Sequence, residues 1–169
     1  DKVDYLLIGG GMAYTFLRAK GYKIGKSLLE ADKISLAAGL IKKANKKGVK
    51  LLTPVDSVAS SEFGEGGTIK VLRNEEFDDD MMGLYIGPQT FEYYFDCIVG
   101  SKTILWNGPM GVFEMDSFSK GTYAVAEAIV QATKEGAFSL IGGGDSAAAV
   151  AKAGLEYQVS YVSTGGGAM

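Results

Sequence analysis

A chain of 169 residues, 47% hydrophobic and 22% charged, has the make-up of one soluble globular domain with room for a core. A net charge of −3 and a pI near 5.0 offer no electrostatic footprint for nucleic acid or an anionic membrane. No apolar run reaches spanning length and no secretory signal opens the chain, so the expected setting is cytoplasmic, with neither kind of partner. The lack of histidine and the single cysteine, Cys97, exclude Ser-His-Asp and Cys-His catalysis within the chain, rule out a disulfide framework and argue against zinc. Chemistry that rests on positioning and electrostatics, such as phosphoryl transfer, survives these exclusions.

Tyr5–Ile8 is a short apolar run that reads as a buried strand, and Gly9, Gly10 and Gly11 follow it. Met12–Lys20 has helical periodicity with Met12, Phe16 and Leu17 on one face, and Gly21 is placed to close the helix. Taken alone, this segment is read as a structural turn. It lacks the spacing G-x-G-x-x-G with an acid about 20 residues on, so a nicotinamide-dependent oxidoreductase is not indicated.

After a connector, Gly25–Ala31, the stretch Asp32–Lys47 predicts an amphipathic helix with Ile34, Leu36, Ala37, Leu40, Ile41 and Ala44 apolar. Its lysines 42, 43, 46 and 47 complement the negative end of the helix dipole. Gly48 ends it, Val49–Thr53 is the next strand, and Pro54 breaks that strand. Asp56–Ser60 and Thr68–Arg73 read as short strands around a glycine-rich turn, Gly64–Gly67. The acidic run Glu75–Asp80 is expected to be a solvated loop, because adjoining carboxylates repel one another. Met81–Ile86 returns to strand character. Gly87-Pro88 opens a helix that Phe91–Val99 carries on, with Phe91, Tyr94 and Phe95 in the core and Cys97 inert.

Lys102–Trp106 is another strand and runs into Asn107–Glu114, where turn formers are too dense for a helix or strand interior. Phe118–Thr133 predicts a long helix with Tyr123, Val125, Ala126, Ile129 and Val130 facing inward. Phe138–Ile141 then meets Gly142, Gly143, Gly144 and Asp145, followed by helical Ser146–Lys152. This is a strand, a tight turn and a helix N-terminus. Such an end has unpaired N–H groups and partial positive charge, and it binds anions, phosphate above all. Asp145 admits two accounts. A carboxylate beside phosphate needs a cation between them, which points to Mg²⁺ carried by a nucleotide; alternatively, Asp145 simply caps the helix. Val159–Val162 is a last strand and leads into Ser163–Ala168. The chain starts without Met and stops inside that motif, and the expectation is a segment of a longer protein.

Strands that alternate with helices predict an α/β fold, a doubly wound, Rossmann-like parallel sheet with helices on both faces. Its glycine-rich loops would gather at the carboxyl edge of the strands, where ligands bind in such folds. Four such loops, starting at Gly9, Gly108, Gly142 and Gly165, are hard to explain as turns alone.

The wording of these loops is specific. IGGGMAYTFL at Ile8–Leu17, WNGPMGVFE at Trp106–Glu114, IGGGDSAAA at Ile141–Ala149 and STGGGA at Ser163–Ala168 resemble phosphoglycerate kinase, in that family's order. GKSLL at Gly25–Leu29 and KLLTPVD at Lys50–Asp56 match between them. The resemblance covers essentially the whole chain and is to most of the C-terminal, nucleotide-binding domain of a two-domain, monomeric, cytoplasmic glycolytic enzyme.

The resemblance implies reversible transfer of a phosphoryl group between 1,3-bisphosphoglycerate and Mg-ADP, giving 3-phosphoglycerate and ATP. It places Gly9 and Gly10 in the adenine pocket, Gly83 and Leu84 beside the base with Pro109 and Val112, and Glu114 on the ribose hydroxyls. Gly143, Gly144 and Ser146 would hold nucleotide phosphates, Asn107 would lie near them, and Asp145 would meet the Mg²⁺. Gly144, Gly165, Gly166 and Gly167 would serve the transferring phosphoryl group.

Two positions depart from the family's pattern. Tyr85 replaces a usual acid, an exchange expected to act on packing, and Met81 replaces a common Trp, expected to loosen the rim of the adenine pocket. The family's Gly-Ala-Lys-Val segment and its triose-binding domain have no counterpart in these 169 residues, so the chain alone is expected to turn nothing over; a competing reading is a module that binds adenine nucleotide weakly.

Overall fold

Short apolar runs, each stopped by Gly, Pro or a polar turn, form the strands of the computed structural model, which describes residues 2–165. The chain divides into two compact units, Asp1–Thr90 and Phe91–Met169.

In the first unit, β1 (Tyr5–Leu7) pairs in parallel with β2 (Lys50–Leu52). The crossover between them contains α1 (Met12–Ala19) and α2 (Ile34–Lys46), with a single 3₁₀ turn at Ala31–Lys33 ahead of α2. α1 ends at Lys20, and Gly21 follows in the left-handed region (φ +94°), where Tyr22 N–H can reach back to the Leu17 carbonyl at 3.1 Å.

α1 is buried on two sides. Ala13 and Phe16 pack with Ile8 and Ala37, while Tyr14 and Leu17 join Ile24, Ala59, Leu72, Phe77 and Met81. Met12, expected on the inner face, is 58% exposed. Leu36 and Leu40 of α2 are likewise exposed, leaving Ala37 and Ala44 as its buried residues. Small residues at those positions let the helix approach closely. Met81 is 2% exposed within the second cluster, so the exchange read as loosening a pocket rim sits in a packed core.

The middle of the chain departs from simple alternation. β3 (Asp56–Ser60) lies between β4 (Ile69–Arg73) and β5 (Met82–Ile86), and both pairings are antiparallel. No α-helix separates these strands, only a 3₁₀ turn at Asn74–Glu76 between β4 and β5, and the short link from β3 to β4 suits antiparallel neighbours. α3 (Pro88–Val99) follows β5 and runs across the boundary between the units. Its start is fixed by Asp56, 2% exposed, whose carboxylate accepts the N–H groups of Gln89 at 3.0 Å and Thr90 at 2.8 Å and the Thr90 hydroxyl at 2.6 Å. A carboxylate at the positive end of a helix is stabilised there.

Tyr14 meets Phe77 edge to face at 6.2 Å between ring centres. Burial pushes its hydroxyl up to about 12. Between pH 10 and 12 the unfolded chain has released this proton while the folded chain keeps it, so stability must fall as pH rises through that window. The shift corresponds to a loss of at most about 3 kcal/mol. The urea midpoint of the full-length protein should therefore drop from pH 9 to pH 12 by more than it does in Tyr14→Phe. Equal drops in the two proteins would remove Tyr14 from the alkaline transition.

The second unit is a consecutive strand–helix–strand–helix–strand series: β6 (Thr103–Asn107), α4 (Lys120–Lys134), β7 (Phe138–Gly142), α5 (Gly144–Lys152) and β8 (Tyr161–Ser163). The three strands are parallel in the order β6-β7-β8. α4 buries Val125, Ala126, Ile129 and Val130 as its periodicity predicts, with Tyr123 half-buried. Ile141 on the central strand and Ala149 and Val150 on α5 are fully buried. Each large aliphatic side chain removed from water in this way contributes about 1.5–3 kcal/mol. Parallel strands joined through helices give the α/β, Rossmann-like class expected. Among the described residues, no helix is long and apolar enough to cross a membrane.

Candidate functional site

The register of the second unit sets Asn107, Gly142 and Ser163 abreast at the carboxyl ends of β6, β7 and β8. Three of the four glycine-rich segments therefore leave the sheet from one edge, where the topology predicts a ligand site. The fourth, at Gly9, follows β1 in the first unit.

β7 turns into α5 through Gly143, which holds the N-cap position with φ +87° and ψ +149°. That region of backbone space is essentially closed to residues with a Cβ. A Cβ on Gly143 would also stand 2.6 Å from Asn107 Oδ1. Asn107 thus reaches over the turn, and a Cβ at Gly143 would oblige its exposed amide to move. The first helical hydrogen bond runs from Ala147 N–H to the Gly143 carbonyl at 3.0 Å. No side chain among the described residues caps the helix. The N–H groups of Gly144, Asp145 and Ser146 consequently have no partner among the described residues. Together with the dipole they form an anion-seeking end.

Asp145 is the second residue of α5, exposed on its first turn. Its carboxylate makes no hydrogen bond or ion pair among the described residues. Of the two accounts open in the sequence, the cap belongs to Gly143. Among the described residues no three His, Cys, Asp or Glu side chains converge to hold a metal. A lone carboxylate does fit Mg²⁺ that gains its other ligands from phosphate and water.

Ser146 is fully buried, and its hydroxyl oxygen accepts the N–H of Gly108 at 2.7 Å. Two residues further along the loop, Met110 N–H donates to Thr122 Oγ1 of α4 at 3.1 Å, and Thr122 is also fully buried. Met110 and Phe113 anchor the loop in the core. Pro109 and Val112 are half-buried, and Asn107 and Glu114 are exposed. Gly165 is exposed, and its N–H donates to Ser163 Oγ at 3.3 Å. Gly166 and Gly167 lie outside the described residues.

In the first unit, Gly9 and Gly10 are half-buried on the turn into α1. Gly83 and Leu84 are buried on β5. Gly83 has a packing reason to be glycine: a Cβ there would collide with the Tyr14 ring and hydroxyl. Its N–H donates to Ser27 Oγ at 2.8 Å. Tyr14 and Thr122 carry no sequence signal of these tasks, since both sit in apolar helical periodicity.

The family described as Phosphoglycerate kinase matches residues 1–169. The phosphoglycerate kinase of Chloroherpeton thalassium is 54% identical over 167 residues, which are 99% of this chain and 42% of the relative. That of Porphyromonas gingivalis is 54% identical over 169 residues, 100% of this chain and 40% of the relative. The solved structure of phosphoglycerate kinase from Coxiella burnetii matches with a TM-score of 0.95 and 44% identity, over 99% of this chain and 42% of that one. The chain thus spans about two fifths of the relatives it matches, and it belongs to the phosphoglycerate kinase family.

Proposed function

We propose that this chain is the nucleotide-binding part of a phosphoglycerate kinase, a monomeric cytoplasmic enzyme of glycolysis. It would exchange a phosphoryl group between 1,3-bisphosphoglycerate and ADP, with the triose bound by the remainder of the protein. The observation that carries the reading is the open N-terminus of α5, beside a loop held at the same sheet edge.

ADP would lay its phosphates on the N–H groups of Gly144, Asp145 and Ser146 and on the turn at Gly143. Asn107 would stand near the phosphate chain. Glu114 would accept hydrogen bonds from the ribose diol, and Pro109 and Val112 would offer the apolar surface that a base needs. Asp145 together with the nucleotide phosphates would hold Mg²⁺, which supplies charge neutralisation between phosphoryl groups.

In transfer towards ATP, a β-phosphate oxygen of ADP attacks phosphorus, the bond from phosphorus to the acyl oxygen breaks, and the carboxylate of 3-phosphoglycerate leaves. No proton moves and no covalent enzyme intermediate is needed. The protein's part is to aim N–H groups at developing charge, a task proposed for Gly144 and, from the resemblance, for Gly165, Gly166 and Gly167. By itself the chain would bind nucleotide without turnover, since the triose site lies elsewhere.

Calorimetric titration of the full-length protein with ADP tests the reading. Binding is expected, and Glu114→Ala should weaken it by about 1.5 kcal/mol, the lower end for a hydrogen bond to a charged acceptor, because Glu114 is exposed. An ADP affinity unmoved by the substitution would take Glu114 out of the site. A wild-type protein that binds no ADP would overturn the function.

A further inference from the structure

We infer that Ser146 and Thr122 are positioning residues whose hydroxyls hold the Asn107–Glu114 loop in register on α5 and α4. The inference rests on the nucleotide reading above for its consequence, though not for its geometry. Ser146 belongs to the phosphate-facing turn by sequence, yet its hydroxyl is already engaged. It is fully buried and accepts Gly108 N–H at 2.7 Å. Thr122, a residue of α4 with no sequence signature, does the same for Met110 N–H at 3.1 Å from an equally buried position. Asn107 Oδ1 stands near Gly143 at the same turn, 2.6 Å from where a Cβ would be.

The loop leaves the end of a parallel strand, and its own backbone bonds begin further along, with a bridge at Gly111 and the Phe113 N–H donating to the Gly111 carbonyl at 2.9 Å. Its backbone N–H groups at 108 and 110 find acceptors only because two helices present hydroxyls there. The Met110 N–H is buried and the Gly108 N–H part-buried, and donors withdrawn from water are paired. The phosphate end and the ribose end of a nucleotide would therefore be read by one coupled element: α5 carries the bare N–H groups, and through Ser146 it also carries the loop bearing Pro109, Val112 and Glu114. Ser146 then acts on nucleotide affinity through Gly108.

The test uses the full-length protein with Ser146→Ala, Thr122→Val and the hydroxyl-retaining Thr122→Ser. Amide hydrogen exchange is measured across Trp106–Glu114, and calorimetry measures the affinity for ADP and for pyrophosphate. Exchange in the loop should rise in Ser146→Ala and Thr122→Val and stay near wild type in Thr122→Ser. The ADP dissociation constant should rise about tenfold in the first two, with KM for ADP rising more than kcat falls. Pyrophosphate, which needs only the helix end, should bind all variants alike.

Equal weakening of ADP and pyrophosphate by Ser146→Ala would overturn the inference in favour of a direct phosphate contact. Unchanged exchange beside intact ADP binding overturns the clamp and leaves the proposed function standing. A wild-type protein that binds no ADP overturns the nucleotide reading and the positioning role with it.

Discussion

Gly143→Ala should lower kcat/KM of the full-length enzyme for ADP by at least about 100-fold. Two costs act at one atom. The backbone at φ +87° and ψ +149° is a conformation that alanine avoids, at a cost of about 1–3 kcal/mol. The new Cβ would also stand 2.6 Å from Asn107 Oδ1, so either Asn107 or the turn must shift. A shift on the order of 1 Å in a positioned group can cost about 100-fold in rate. The neighbouring Gly144 sets the control for stability. It lies in the first turn of α5 with nothing within 4 Å of an added Cβ, and alanine is the better helix former by about 1 kcal/mol. Gly143→Ala should therefore lower the urea midpoint, and Gly144→Ala should hold or raise it. Wild-type kcat/KM in Gly143→Ala would show that the turn can relax, and that its geometry is not what the site requires.

The strands that carry the glycine-rich loops were legible because the signal is local. An apolar run such as Phe138–Ile141 stopped by Gly142 can be little else than a strand into a turn. Alternation with helices then predicted the parallel pairing of β6, β7 and β8, and so the shared edge of Asn107, Gly142 and Ser163. The same rule did not reach β3, β4 and β5, which follow one another without an α-helix and in which β3 pairs antiparallel with both neighbours. Periodicity also overstated burial on the surface helices, where Met12, Leu36 and Leu40 remain exposed. It marks which face is apolar, and not how far a neighbour covers it.

Within the site, residue type named the atoms and not their partners. GGGD left the cap open between glycine and aspartate until the backbone placed Gly143 there. Ser146 reads as a phosphate ligand from its place in the motif, but its rotamer gives the hydroxyl to Gly108. Thr122 has its role only because α4 passes the loop at that residue, a tertiary fact that no local pattern encodes.

Asp145→Asn should separate metal-bound from metal-free nucleotide. The carboxylate is exposed on the first turn of α5 and has no partner among the described residues. It stands beside the N–H groups proposed to hold phosphate, where an unscreened negative charge would repel the ligand. Asparagine keeps the size and removes the charge. Affinity for Mg-ADP should fall roughly tenfold, while affinity for ADP in chelator should stay level or rise as the repulsion disappears. Turnover should fall further than binding, by about 100-fold, because charge placement acts most strongly where charge redistributes. Stability should barely move. The cap belongs to Gly143, so the substitution removes only the favourable contact of an acid with the helix dipole, about 0.3–1 kcal/mol. Calorimetric titrations with ADP, in Mg²⁺ and in chelator, together with a urea midpoint, distinguish the accounts. Equal weakening in both titrations would show that Asp145 acts on the nucleotide without the metal. A stability lowered by several kcal/mol in the urea titration, with both affinities lost together, would make it a structural residue of the helix end.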